Sequence, residues 1–277
     1  MPMKASATFS FFKALFTVVL LLFYMQSCKK SSQEDISYAS DHTAAEQAFN
    51  DIQSIGDQAA SLATSGTMDY KTTATTISGC ATVTKEPGII TIDFGNTNCE
   101  CKDGRARRGK IIITYNGGYL DSGSVRTTTF DNFYQNDNKI TGTKTVTYMG
   151  FNKAGQPYYK VHIDGSVTLK SGGTITTVWD RERTWTEGYN TPGDKSDDVF
   201  KTTGTGTITR PNGSVMDINI SLPLITAASC RWVEAGTVLF SLPGGKTKAL
   251  NYGDIPECDD SAKITLSNGT VKVITLP

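Results

Sequence analysis

Histidine is almost missing from this chain of 277 residues: it has two, His42 and His162. That scarcity argues against a metal centre built on imidazoles, and it leaves His162 as the base of any Ser-His-Asp triad. His162 lies in a strand-like stretch, Tyr158 to Asp164, where it reads as a half-exposed strand residue. No G-x-S-x-G turn occurs. Pro243-Gly244-Gly245-Lys246-Thr247 resembles part of a phosphate loop, but Phe240 occupies the place of the glycine needed five positions before Gly245. A charge bias is missing too, with 27 Lys plus Arg against 27 Asp plus Glu. Nucleic acid is therefore not an expected partner, because binding it takes clustered cations that release counterions. Nor is there a long apolar run. Ala14 to Met25 covers about a dozen residues, where a bilayer span takes roughly 20.

A short apolar run behind Lys4 and Lys13 fits a secretory signal instead. It ends on Ser27-Cys28, an order that resembles a bacterial lipobox, although Met25 and Gln26 depart from its commonest form. The resemblance implies that Cys28 becomes the new amino terminus and carries acyl chains, each methylene adding about 0.8 kcal/mol of membrane affinity. Without residues 1–27 the chain carries a net charge of −2. We read residues 1–27 as a lipoprotein signal peptide, 28–41 as a polar flexible tether and 42–277 as one β-rich domain.

Five further cysteines, Cys80, Cys99, Cys101, Cys230 and Cys258, leave an odd count in a compartment that permits disulfides. Cys230 and Cys258 form one expected pair, and Cys80 joins either Cys99 or Cys101. The Cys99-Glu100-Cys101 triplet lacks the spacer and the ligand count of a zinc site, so no metal is expected.

One helix is expected, over residues 43–65. Thr43-Ala44-Ala45-Glu46 matches a capping box, Ala48, Ile52, Ile55, Ala59 and Leu62 recur at helical spacing, and Gly66 is placed to end it. Beyond it the sequence is strands. Threonine is about one residue in seven, and its branched Cβ suits a pleated surface. Glycine-bearing turns at Leu169–Thr174, Thr209–Val215 and Leu266–Val271 predict tight hairpins. The pattern predicts an antiparallel meander of about a dozen strands, forming a curled sheet or a sandwich, with the N-terminal helix packed on it. Ile140, Gly142, Lys144, Val146 and Tyr148 share one face of their strand while threonines take the other, as a sheet covered on one side requires.

One strand places Trp179, Arg181, Arg183 and Trp185 on a common face. Such a face could stack a sugar ring or clamp an anion, or the arginines could simply stack on aromatic neighbours within the sheet. Aspartate and glutamate are plentiful, so a carboxylate-dependent hydrolase is the enzymatic alternative. No catalytic motif or cofactor site is recognisable, and the chain is not expected to be an enzyme.

Thr91-Ile92-Asp93-Phe94-Gly95, Cys101-Lys102-Asp103-Gly104-Arg105 and Arg108-Gly109-Lys110-Ile111 resemble the opening of a group of uncharacterised envelope lipoproteins from Bacteroidetes. Leu250-Asn251-Tyr252-Gly253-Asp254 with Cys258-Asp259 is similar to their closing segment. The resemblance implies location and architecture only, a lipid-anchored envelope protein. Our own expectation is an outer-membrane lipoprotein, on the periplasmic face or at the cell surface, with a binding or structural role and a glycan or an envelope protein as partner.

Overall fold

A computed structural model describes residues 36–60, 76–77, 79–118, 120–191, 194–242, 244–266 and 268–277. Helix α1 covers residues 36–60. The strands that follow are β1 (Thr76–Ile77), β2 (Ala81–Glu86), β3 (Ile89–Asp93), β4 (Cys99–Glu100) and β5 (Ala106–Tyr115). The long central strands are β6 (Val125–Gln135), β7 (Asn138–Phe151), β8 (Pro157–Thr168), β9 (Thr174–Glu187), β10 (Val199–Thr209) and β11 (Val215–Ala227). The sheet ends with β12 (Ala235–Leu242), β13 (Lys246–Gly253), β14 (Ser261–Thr265) and β15 (Val271–Thr275). Each strand pairs antiparallel with the next, except that β3 pairs β5 directly and the short β4 adds to β5. The outcome is a single open sheet rather than a sandwich, and α1 lies against its concave side.

The predicted hairpins form. Gly172, Gly213 and Gly269 take positive φ, and the side chains of Asn212 and Asn268 accept the amides of Ser214 and Thr270 across their turns. Inward-facing residues alternate with threonines along the long strands. Ile140, Val146 and Tyr148 are buried, while Thr141 and Thr143 are exposed. Cys80 bonds Cys99 and Cys230 bonds Cys258, leaving Cys101 as a buried free thiol.

The helix starts earlier than expected, and residues 36–41 belong to it rather than to a tether. Thr43 and Glu46 therefore sit inside α1 and form no capping box: the Thr43 hydroxyl donates to the Ser40 carbonyl and Glu46 pairs with Arg181. Tertiary contact extends the helix. Arg210 donates to Asp41 and Ser37 and stacks over the ring of Tyr38, which gives the first turn a partner on the sheet. The expected stop at Gly66, Leu62 and residues 28–35 lie outside the described residues.

Phe49, Ile52 and Ile55 are buried between α1 and the sheet, each contributing about 1.5–3 kcal/mol relative to exposure. The sheet makes room for them with small residues. A Cβ added at Gly165 on β8 would stand 2.5 Å from Phe49 Cζ, so only a bare backbone lets this ring settle there.

Candidate functional site

Between the second half of α1 and the concave sheet lies a cleft of about 760 Å3, within the range of small-molecule sites. Its walls are α1 from Asn50 to Gln58, inward side chains of β7 to β10, the segment from Thr226 to Trp232, and the turn from Lys102 to Arg105.

Trp179, Arg181, Arg183 and Trp185 do share a face, as period two requires, but that face points inward. Trp179 is 0% exposed and Trp185 4%, so neither indole offers an open stacking platform. Arg181 lies 3.9 Å from the Trp179 ring centroid and Arg183 3.4 Å from that of Phe200, the neighbour-stacking arrangement. The four residues divide along the strand. Trp179 is packed between Phe49 and His42 of the helix. Arg181, Arg183 and Trp185 line the cleft.

Ion pairs set the charge of the walls. Arg181 grips Glu46 at 2.6 and 2.7 Å through both terminal nitrogens. Burial alone would raise the Glu46 carboxyl, yet Arg181 holds it below its usual value. Arg183 reaches Asp57 at 3.2 Å. Arg105 and Arg107 clamp Asp51 and Asp103; against burial, their hydrogen bonds hold Asp103 down to about 2, whereas burial wins at Asp51 and raises it. These carboxylates neutralise arginines, and an acid held near 2 cannot deliver a proton near neutral pH.

Two groups behave differently. Lys144, on β7, is 4% exposed and donates one hydrogen bond, 2.8 Å to the Phe49 carbonyl. Burial, assisted by repulsion from Arg183 and Arg181, lowers its ammonium to about 7. Asp198, just before β10, is pushed up to about 6 by burial, against the pull of Lys195 and the nearby Trp185 indole. Its Oδ2 stands 3.8 Å from Lys195 Nζ, and its Oδ1 has no hydrogen-bond partner among the described residues. The indole nitrogens of Trp185 and Trp232 are likewise buried without one. Titrating groups displaced toward neutrality and gathered in one cleft mark a candidate functional site.

His162 is elsewhere. It sits half-exposed on the outer face of β8, 2.7 Å from Asp180, away from the cleft. His42 is fully buried under α1 beside Trp179 and Phe240, and burial lowers it to about 4. Cys28 lies outside the described residues. Neither Lys144 nor Asp198 was a candidate from sequence. Lys144 did carry a signal, as the charged member of an otherwise apolar inward row, whereas Asp198 in Asp197-Asp198 looks like any loop charge. No protein-family model matches this chain, and no curated protein or solved structure does so either.

Proposed function

We propose that this chain is a lipid-anchored protein of the bacterial cell envelope, held at the outer membrane by acyl chains on Cys28, and that its role is to bind a small polar ligand in the cleft beside α1. The observation that carries the binding role is the cleft itself: about 760 Å3, floored by inward strand residues and lined by polar groups left short of partners. Open surface stacking on Trp179 and Trp185 is not part of this reading. The ligand enters between helix and sheet, where the partly exposed Trp232 supplies flat apolar area and Asn50, Gln53 and Gln58 supply amides. Binding is favoured over catalysis because three of the four lining acids, Asp51, Asp57 and Asp103, are committed to arginines, which leaves Asp198 without a second free carboxylate to work with.

Trp185 and Trp232 are two of the chain's three tryptophans, so intrinsic fluorescence reports the cleft directly. Screening the detergent-solubilised full chain against sugars and organic acids should give a saturable emission change that Trp232→Phe diminishes. A change that survives both Trp232→Phe and Trp185→Phe would remove the ligand from the cleft. Mass spectrometry of the amino-terminal peptide tests the anchor: acyl mass on Cys28 is expected, and an unmodified thiol there overturns it.

A further inference from the structure

The cleft is richer in donors than in acceptors. Seven lysines and arginines line it against four aspartates, and Glu46 behind the wall adds a fifth carboxylate. Arg105, Arg181 and Arg183 have their carboxylates. Lys144 has none within ion-pair distance among the described residues, and its ammonium, which can donate three hydrogen bonds, makes the single one to Phe49. Among the described residues the buried indole N–H of Trp232 has no acceptor, whereas that of Trp185 lies against Asp198 and helps to hold its carboxyl down. A buried cation without a counter-charge costs the fold stability, and buried donors without acceptors add to that cost. An anionic guest would relieve both at once.

We propose that the cleft takes a small acidic ligand, a carboxylate or phosphate carried on a hydroxyl-bearing body, and that Lys144 is its buried counter-charge. This rests on the reading of the cleft as a binding site. The amides of Asn50, Gln53 and Gln58 suit the hydroxyls, and Lys144 with the Trp232 indole N–H suits the anionic head. The charged groups around Lys144 are Glu46 and Asp57 on α1, which favour its ammonium, and Arg181 and Arg183 on β9, which oppose it; its register neighbours Ile163 on β8 and Thr128 on β6 are uncharged. With its titration near 7 in the empty cleft, Lys144 is largely neutral at pH 8 and must take up a proton as the anion enters. Affinity should therefore be highest below pH 7 and fall as pH rises, by roughly tenfold per unit until the raised value of the complex is reached.

Calorimetry of the full chain with galacturonate, inorganic phosphate and galactose tests this. At pH 8, in buffers of different ionisation heat, galacturonate or phosphate should bind with close to one proton taken up, and galactose at least tenfold more weakly. Galacturonate alone would point to a sugar acid, and phosphate alone to a phosphorylated ligand. Lys144→Met should lose both the anion and the proton uptake. Lys144→Arg, permanently charged, should keep the anion without the pH dependence. Should Lys144→Met fail to fold, the proton uptake of the unaltered chain decides. Galactose binding as tightly as galacturonate with no proton uptake would sink the acidic class and leave the cleft standing. An anion that binds Lys144→Met unchanged lies elsewhere and overturns the assignment. If none of the three probes binds or moves the indole N–H resonances of Trp185 and Trp232, both readings fall.

Discussion

The two halves of α1 pack their apolar stripe on the same sheet, yet the polar flank of one is sealed and that of the other opens onto the cleft. Around residues 38–49, His42, Glu46 and Phe49 pack against Trp179, Arg181 and Phe240, and the Glu46–Arg181 pair is shut in at 3% and 5% side-chain exposure. Along residues 50–58 Ile52 and Ile55 still pack on the sheet, but the polar flank of the helix faces the cleft, where Asp57 and Arg183 keep 25% and 18% of their surface. Arg181 and Arg183 are two residues apart on one strand and each meets a helix carboxylate. Their difference is solvent. In the sealed half a charge pair fixes how helix and sheet dock; in the open half the same chemistry is free to answer a ligand.

The strongest way to break the comparison is to cut the sealed pair. Glu46→Ala leaves Arg181 buried without its partner and should cost about 3–5 kcal/mol in urea unfolding. A loss under about 1 kcal/mol would mean that water already reaches this end, and the two halves would no longer differ in kind.

Lys144 is the next lever, because it sits at the boundary between the halves. Its ammonium titrates near 7 in the fold against 10.5 for the ordinary side chain. Between those values the unfolded chain holds the proton that the folded one has released, so stability rises with pH across that window. Below pH 7 the full cost of the buried charge applies. Lys144→Met should therefore stabilise the empty protein at pH 6 by about 4 kcal/mol, and the gain should fade toward pH 10. Equal melting of variant and parent at both pH values would show that Lys144 is solvated and belongs wholly to the open half. A gain of that size in the variant would mark Lys144 as kept for something other than folding.

The sequence carried the sheet well, because threonine content, alternation and Asn-Gly or Gly-Gly turns are local signals, and local signals decide hairpins. It carried the helix imperfectly. The capping box at Thr43 was overruled by Arg210, a residue 169 positions beyond Asp41, whose contact no window along the chain could anticipate. The candidate site was least legible, for the same reason. Period two correctly put Trp179, Arg181, Arg183 and Trp185 on one face, but which way that face points depends on where α1 lands. Lys144 was visible as an oddity in the row Ile140, Val146 and Tyr148, and its meaning came only with the lid of helix above it.

The smallest expected effect sharpens the contrast most cleanly, since it sets two pairs of like chemistry side by side. In a double-mutant cycle, the coupling between Asp57 and Arg183 should be below about 1 kcal/mol and should shrink further in high salt, as partly exposed ion pairs do. The coupling between Glu46 and Arg181 should be several times larger and nearly indifferent to salt, because ions do not enter the sealed half. The cycle also removes a confusion that single variants leave: Arg183 packs over Phe200, so its loss alone would mix stacking with charge. Two couplings of equal size would place both pairs in one environment, and the cleft would then be a dent in a continuous core rather than a second compartment. A strong salt response at Asp57 and Arg183 alone would locate the water boundary between residues 181 and 183, which is where a ligand coming from solvent would first meet charge.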